Sequence, residues 1–376
     1  MRLSPLALAE RIILAADVRH PADAVLRQEL KCDRGLMSRD AARISAGVFA
    51  YYRWRGWLNE RQPLSAQIER ALELAARFEQ QPQSFSADEI LARALPSWLQ
   101  PEVKVTAAWA RVLQSEPVLW LRARPGKGKA LAKSLGHCLP FGEGPLADIL
   151  RYNGDEDLFR TREFHAGEFE LQDLSSQAVG LICDPGADQT WWDACAGEGG
   201  KMLHLSDLMQ NKGLIWASDR ASWRLQKLKR RAARAGVFNY RAVEWNGGSQ
   251  LPTRTKFDGV LVDAPCSGIG TWQRNPHARW TTTLADVLEL STVQQQLLVK
   301  AAAAVKPGGK LAYTVCTLTR AETVGVVEEF EFARLGFQRV GVRNPLVPES
   351  PPEPQLCLWP QQFGGNGMFI AVWRRQ

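Results

Sequence analysis

Two cysteines each follow a predicted β-strand and are the first candidates for chemistry. Cys266 comes after the run VLVDAP, and Cys316 ends the run LAYTVC. If strands that are consecutive in sequence are neighbours in a parallel sheet, both thiols reach the same crevice at the strand ends. A thiol placed there can act as a covalent nucleophile. Buried structural cysteine is the alternative, and we keep that interpretation for the other cysteines, Cys32, Cys138, Cys183, Cys195 and Cys357.

A glycine-rich loop between a predicted strand and a predicted helix is the second chemical feature. It lies in WWDACAGEGGKMLHL, residues 191–205, and Asp219 ends the next predicted strand. Such glycines let the backbone approach a ligand, and the acid can accept hydrogen bonds from a ribose diol. The spacing is not GxGxxG and no GKS or GKT follows, which disfavours dinucleotides and nucleoside triphosphates. S-adenosylmethionine fits this pair of features, and a tight turn with a helix-capping aspartate is the alternative.

The periodicity of the chain changes twice. Residues 1–95 carry apolar residues at three- and four-residue spacing, which predicts an all-helical domain. Residues 115–173 predict a small α+β module of short strands and a helix. In residues 174–376 strand-like and helical runs alternate, which predicts an α/β domain with a doubly wound parallel sheet. The closing LCLWPQQFGGNGMFIAVWRRQ predicts two strands at an antiparallel edge.

Composition restricts the class of protein. The 376 residues are 45% hydrophobic, carry a net charge of +7 and include seven cysteines. The sequence has no CxxC pair, and no histidine lies near a cysteine at the spacing of metal ligands. Neither structural zinc nor disulfides are therefore expected. The N-terminal residues lack a signal-type apolar stretch, and no run is long enough to cross a membrane. We therefore expect a cytoplasmic protein with no membrane or metal partner, whose positive charge is compatible with a polyanion.

Four stretches together resemble a known family. The stretches DACAGEGGK, DAPCSGIGTWQRNP, YTVCT and LWP…GMFIA are similar to RsmB-type members of the Nop/Sun (Fmu) family of RNA cytosine-5 methyltransferases. The resemblance implies a class I, Rossmann-like methyltransferase domain over residues 174–376 and S-adenosylmethionine as cofactor. It further implies a NusB-like RNA-binding domain over residues 1–95, RNA, expected to be ribosomal, as substrate, and action as a monomer.

The resemblance also implies catalytic roles for four residues. Cytosine carbon 5 is a poor nucleophile, so a thiolate adds to carbon 6 and makes carbon 5 reactive. Cys316 corresponds to this nucleophile, and Cys266 corresponds to the residue that assists its release after methylation. Asp263 would bind ring nitrogen 3 and the exocyclic amine of the base, and Lys201 matches an active-site lysine. One thiol would thus make the covalent bond and the other would help to break it.

The family pattern assigns a wider set of residues to cofactor binding and to RNA. Arg274, Arg279 and Trp280 match a stretch that faces RNA. The chain departs from the family at Glu198, where proline is usual and the side chain could contact the cofactor ammonium or face solvent. It departs again at Asn246, where an acid is usual. The predicted cofactor-binding residues are Cys195, Ala196, Gly197, Glu198, Gly199, Gly200, Lys201, Asp219, Arg224, Asn246 and Asp263.

Two other functions remain open from the sequence. A DNA cytosine methyltransferase would use the proline-linked thiol, Cys266, as nucleophile and would leave Cys316 without a role. A non-catalytic RNA-binding or ribosome-assembly factor could retain the fold, but it would have no need for Asp263 and both thiols. The leading hypothesis is therefore an RNA cytosine-5 methyltransferase.

Overall fold

A computed structural model describes residues 3–32, 36–333 and 335–376 of the chain. The chain divides into two compact units. The first comprises Met1–Pro117 and Gly268–Asp286, and the second comprises Val118–Ser267 and Val287–Gln376. The chain therefore leaves the second unit directly after Cys266 and Ser267.

The first unit is helical over its N-terminal part. Apolar residues repeat every three or four positions, so that each helix buries one face; in the fourth helix these residues include Ile68, Leu74 and Phe78. The helical part continues to residue 112, beyond the boundary at residue 95 that the sequence predicts. Its helices are α1 (Pro5–Ala15), α2 (Ala22–Cys32), α3 (Ser38–Trp54), α4 (Leu64–Gln80), α5 (Ala87–Arg93) and α6 (Ala107–Val112).

Arg279 attaches the segment of residues 268–286 to this helical unit. Its guanidinium is fully buried and donates to the backbone carbonyls of Arg53 (3.4 Å), Ala94 (3.0 Å) and Leu113 (2.7 Å). These carbonyls lie at the ends of α3, α5 and α6, where the last carbonyls of a helix have no partner within it. A positive charge is also favoured there by the helix dipoles. Burial lowers the pKa of Arg279 to about 9, and the charge of Arg53 adds to the shift.

The expectation that Arg279 faces RNA is therefore wrong. Arg279 is 0% exposed. The indole nitrogen of Trp280 donates to the carbonyl of Tyr52 at 2.6 Å, again within the helical unit. The buried guanidinium of Arg279 satisfies backbone groups and is not available to phosphate, whereas Trp280 is partly exposed and its stacking on a base stays a prediction. Arg274 is partly buried and stays a candidate for RNA contact.

We expect Arg279→Met to destabilise the protein by about 3 kcal/mol, because each buried carbonyl left without a donor costs about 1–3 kcal/mol. Denaturant unfolding followed by circular dichroism measures the loss. Arg43→Met is the matched control, since Arg43 is exposed on α3. Equal stability of the two variants would contradict the structural role of Arg279.

The second unit begins with a small antiparallel sheet. In the strand order β2-β3-β1-β4, Leu121 of the central strand lies opposite Leu150 on one side and Leu171 on the other. All three side chains contribute to one apolar cluster. The elements are β1 (Leu119–Ala123), α7 (Gly128–Leu135), β2 (Cys138–Pro140), β3 (Ile149–Tyr152), α8 (Arg162–His165) and β4 (Phe169–Leu171).

The rest of the chain alternates strands and helices. Its helices are α9 (Leu174–Cys183), α10 (Gly200–Leu208), α11 (Ser222–Arg234), α12 (Ala278–Thr281), α13 (Leu284–Ala302), α14 (Val324–Phe332) and α15 (Pro360–Phe363). Its strands are β5 (Thr190–Asp193), β6 (Leu214–Asp219), β7 (Tyr240–Glu244), β8 (Phe257–Asp263), β9 (Val305–Val315), β10 (Phe337–Val340), β11 (Leu356–Leu358) and β12 (Met368–Arg375).

These strands form one sheet in the order β10-β12-β9-β8-β5-β6-β7, with β11 paired to β12. Strands β5 to β9 pair in parallel, whereas β12 is antiparallel to β9 and β10. The predicted doubly wound sheet with an antiparallel edge is confirmed. The strand order reverses between β5 and β8, and ligands bind at such a point, outside the carboxyl ends of the strands.

Both faces of this sheet are buried. The neighbouring residues Val260, Leu261 and Val262 of β8 belong alternately to two apolar clusters, because successive side chains of a strand point to opposite faces. A strand buried on both faces explains the continuous apolar run that precedes Asp263. Within the described residues, every helix is too short or too polar to cross a membrane.

Candidate active site

A cavity of about 530 Å³ lies at the carboxyl ends of the parallel strands. Residues that follow β5, β6, β7, β8 and β9 line it, together with one side of α13. The residues that line it are Ala194, Cys195, Ala196, Gly197, Glu198, Asp219, Arg220, Arg224, Trp245, Asn246, Gly247, Asp263, Ala264, Pro265, Cys266, Val293, Leu297 and Cys316.

The glycine loop between β5 and α10 forms one wall. Gly197 and Gly199 have φ angles of 55° and 88°, a region that favours glycine. A Cβ on Gly199 would lie 2.7 Å from Cγ of Leu228, so a side chain there would displace α11. The corresponding position at Gly197 is open space, which leaves room for a ligand against the loop backbone.

Asp219, the last residue of β6, organises this wall. It is buried, and its carboxylate accepts hydrogen bonds from the backbone N–H of Gly197 (3.1 Å) and of Ala221 (2.8 Å). Arg224 lies 3.9 Å from the same carboxylate. Each carboxylate oxygen can accept more than one hydrogen bond, so Asp219 retains acceptor capacity toward the cavity.

The two departures from the family pattern both have partners within the protein. Oε1 of Glu198 pairs with Nζ of Lys227 at 2.7 Å on the half-exposed rim. Oδ1 of Asn246 accepts from the backbone N–H of Gly248 at 2.9 Å. Glu198 is therefore part of a surface ion pair, a partner that the sequence could not indicate.

The two thiols at the ends of β8 and β9 lie side by side. Sγ of Cys266 and Sγ of Cys316 are 3.3 Å apart. Both residues are partly exposed and line the cavity. By contrast, burial raises the pKa of Cys195 well above its ordinary value and that of Cys183 to about 12. Burial thus disfavours the thiolate of both residues, in agreement with a structural role.

A partly buried ion pair lies at the same edge of the sheet as the thiols. Nζ of Lys201, in the first turn of α10, is 2.6 Å from Oδ2 of Asp263. Burial disfavours the ammonium, yet attraction to Asp263, Cys316 and Asp193 leaves the pKa of Lys201 above its ordinary value. The ammonium and a negative charge on Cys316 therefore attract each other.

The chain resembles known proteins over this region and beyond. The family model described as 16S rRNA methyltransferase RsmB/F matches residues 180–374. The chain belongs to this family.

Relatives of this RsmB/F family member carry matching names. The "Probable ribosomal RNA small subunit methyltransferase B" of Synechocystis sp. is 41% identical over 44% of this chain and 38% of its own length. The protein of the same name in Bacillus subtilis is 33% identical over 57% of this chain and 50% of its own length. The chain thus spans half or less of the length of these two relatives.

Solved structures share the fold of this family member. The crystal structure of PH0851 covers 100% of both chains with a TM-score of 0.79 at 21% identity. The structure of NSun6 from Pyrococcus horikoshii with SFG covers 71% of this chain and 93% of its own, with a TM-score of 0.62 at 21% identity. These likenesses support the class I methyltransferase fold that the sequence predicts.

The structure brings together most of the site residues predicted for this RsmB/F chain. The cavity is lined by Cys316, Cys266 and Asp263. The predicted cofactor-binding residues that also line it are Cys195, Ala196, Gly197, Glu198, Asp219, Arg224 and Asn246. Gly199, Gly200 and Lys201 do not line it; they form the start of α10. Lys201 is linked to the cavity through its ion pair with Asp263.

Sequence reasoning missed an acid in this RsmB/F site. Asp193, the last residue of β5, is fully buried, and a hydrogen bond from the backbone N–H of Cys195 only partly offsets the effect of burial on its carboxylate. Burial, reinforced by Asp263, raises the pKa of Asp193 to about 7. The acid that directly precedes the glycine loop in WWDACAG was the available signal.

Proposed function

We propose that this chain is an S-adenosylmethionine-dependent RNA cytosine-5 methyltransferase that acts on small-subunit ribosomal RNA. The observation that carries the proposal is the pair of thiols, 3.3 Å apart and beside the Lys201–Asp263 ion pair. A mechanism in which one thiol forms a thioether to the base and a second thiol assists its release uses two such groups at one base. The family and the names of the relatives support ribosomal RNA as the substrate.

The cavity residues fit the cofactor. The open space at Gly197 suits the methionine portion, and Asp219 offers acceptors to a ribose diol. Pro265 and Leu297 provide an apolar wall that suits an adenine ring. When bound, S-adenosylmethionine supplies the methyl group that cytosine carbon 5 takes up.

Side chains of the protein carry out both halves of the reaction, the attack on the base and the release of the methylated product. Sγ of Cys316 adds to carbon 6 of cytosine, which puts negative charge on the ring. A proton that passes from the Lys201–Asp263 pair to nitrogen 3 neutralises this charge and returns to the pair after methylation, while Asp263 accepts a hydrogen bond from the exocyclic amine. Lys201 holds Asp263 in place. After methylation, Cys266 takes the proton from carbon 5. The sulfur–carbon bond to Cys316 then breaks, and its electrons return to the sulfur as the ring double bond reforms.

The charge of the chain supports a nucleic-acid substrate. A net charge of +7 favours association with a polyanion, and phosphate contacts make such binding weaken as salt rises. We further propose that the protein acts in the cytoplasm and as a monomer. Size-exclusion chromatography with light scattering tests the oligomeric state, and a dimer mass would contradict it.

We expect Asp219→Ala to weaken S-adenosylmethionine binding by about 1–3 kcal/mol, because buried ribose hydroxyls lose their acceptor. Isothermal titration calorimetry measures the affinity. Glu244→Ala is the control, since Glu244 is exposed at the end of the adjacent strand β7. Unchanged affinity for Asp219→Ala, or stronger binding of a nicotinamide dinucleotide, would contradict the cofactor assignment.

The experiment that tests the function is methyl transfer followed by base mapping. The full chain is incubated with S-adenosylmethionine and with small-subunit ribosomal RNA, large-subunit ribosomal RNA or DNA, and bisulfite sequencing then reports 5-methylcytosine. We expect newly protected cytosines in small-subunit RNA alone. Protection in DNA but in neither RNA would favour the DNA-methyltransferase alternative. Protection in no nucleic acid would contradict the activity.

A further inference from the structure

A buried glutamate lies behind the two thiols. Glu322 is 0% exposed and belongs to the loop between β9 and α14. It does not line the cavity, and no cation pairs with it in the described part of the chain. A buried carboxylate without a cation is costly unless hydrogen bonds satisfy it. The hydrogen-bond donors to this carboxylate therefore indicate the role of Glu322.

Those donors come from both thiol-bearing loops. Oε1 of Glu322 accepts from the backbone N–H of Ser267 at 2.8 Å and from the side-chain amide of Gln294 at 2.9 Å. Oε2 accepts from the hydroxyls of Ser267, Thr317 (3.0 Å) and Thr319 (2.9 Å). One carboxylate thus joins the loop after β8, the loop after β9 and helix α13.

The position of these donors in the sequence links them to the thiols. Ser267 directly follows Cys266, and Thr317 directly follows Cys316. The hydroxyls of Ser267 and Thr317 also lie 3.0 Å from each other. Glu322 therefore holds the residue that follows each cysteine, through the backbone and hydroxyl of Ser267 and the hydroxyl of Thr317. These residues lie beyond the ends of β8 and β9, where strand pairing no longer sets the distance between the two segments.

The proposed methylation reaction requires the two thiols to be held at a fixed separation. Cys316 must reach carbon 6 of a base, and Cys266 must reach the proton on the adjacent carbon. Reacting groups have to be held within about 0.5 Å of the productive geometry, by residues that are themselves fixed by packing and hydrogen bonds. A flexible pair of loops would lose this geometry.

We propose that Glu322 is a positioning residue that sets the separation of Cys266 and Cys316 for the two halves of the reaction. The catalytic meaning of this proposal rests on the proposed function, but the positioning itself does not. Glu322 acts through the donors on Ser267 and Thr317 rather than by contact with the base.

The test compares Glu322→Ala and Glu322→Gln with the control Glu328→Ala, whose side chain is exposed on α14. Single-turnover methylation of small-subunit RNA should fall about 100-fold in Glu322→Ala, since a displacement of about 1 Å has an effect of that size. Affinities for RNA and S-adenosylmethionine should stay within about twofold of wild type. Glu322→Gln should recover most of the rate, because serine and threonine hydroxyls can accept as well as donate.

A second readout does not depend on activity. Diamide oxidises two neighbouring thiols to a disulfide and takes up their two electrons and two protons. Mass spectrometry after denaturing alkylation measures the rate at which Cys266 and Cys316 become linked. We expect rapid linkage in the wild type and in Glu328→Ala, and linkage slowed about tenfold or more in Glu322→Ala.

The two readouts separate the possible failures. If wild type methylates no RNA but Glu322→Ala still slows the linkage, positioning stands and the proposed function fails. If wild type methylates RNA while Glu322→Ala keeps both the methylation rate and the linkage rate, positioning is wrong. If both glutamate variants lose cofactor binding and cooperative unfolding, Glu322 supports the whole domain, which also overturns the proposal.

Discussion

Replacement of Cys316 by alanine should abolish methyl transfer, with a loss of about 10⁴-fold or more, as expected when a covalent nucleophile is removed. Without the thiolate, carbon 5 of cytosine is never made reactive, so neither product nor covalent adduct should form. Transfer of a labelled methyl group to small-subunit ribosomal RNA measures the rate. Cofactor affinity should remain near that of the wild type, because the cavity offers many other contacts.

Cys138→Ala is the matched control for this prediction. Cys138 is partly buried in the small antiparallel sheet, and burial raises the pKa of its thiol to about 11. It should retain full activity. Substantial activity in Cys316→Ala would show that another group attacks the base.

The second large effect is expected at the Lys201–Asp263 ion pair. Asp263→Asn removes the charge that faces the base and leaves the buried ammonium of Lys201 uncompensated. We expect methyl transfer to fall about 10²–10³-fold, the size of effect seen when one stabilising group is removed from an active site. Without the charge of Asp263, only Cys316 and Asp193 oppose the effect of burial on Lys201, so its pKa should fall and the pH dependence of the rate should shift to lower pH.

A double-mutant cycle separates this role from a general loss of folding. Lys201→Met and the double variant Lys201→Met/Asp263→Asn complete the cycle, and single-turnover rates give the coupling. We expect the effects to be strongly non-additive, because the two groups lie 2.6 Å apart and act on one base. Additive losses, or an unchanged pH profile in Asp263→Asn, would contradict the paired role.

The main parts of the site could be predicted from the sequence because the fold imposes them. Cys266 and Cys316 end consecutive apolar runs, and consecutive parallel strands such as β8 and β9 pair directly. The glycine loop and Asp219 end β5 and β6, which also pair. Where strand ends alone bring residues together, periodicity and loop chemistry are sufficient.

The remaining features depend on contacts between segments that are distant in sequence. Arg279 resembles an exposed RNA-binding residue until three helix ends are seen to surround its guanidinium. Glu322 carries no periodic signal, and Ser267, one of its donors, lies 55 residues away. Glu198 pairs with Lys227, which is 29 residues away on another helix. No local pattern encodes such partners, so the structure was needed to find them.

The two sulfur atoms lie side by side, so their positions alone do not assign the attack on the base to one of them. A DNA-type mechanism would assign the attack to Cys266, whereas the RNA-type mechanism assigns it to Cys316. Removal of one thiol at a time distinguishes the two, because only the loss of the releasing group leaves an adduct in place.

Covalent trapping by Cys266→Ala tests the central claim most directly. The variant is mixed with labelled small-subunit RNA and S-adenosylmethionine and analysed by denaturing gel electrophoresis, with Cys316→Ala and the double variant alongside. We predict a retarded, nuclease-sensitive band for Cys266→Ala alone, because attack by Cys316 proceeds but release fails. A band with Cys316→Ala instead would reverse the two roles. Active enzyme without a band in either single variant would contradict the covalent mechanism itself.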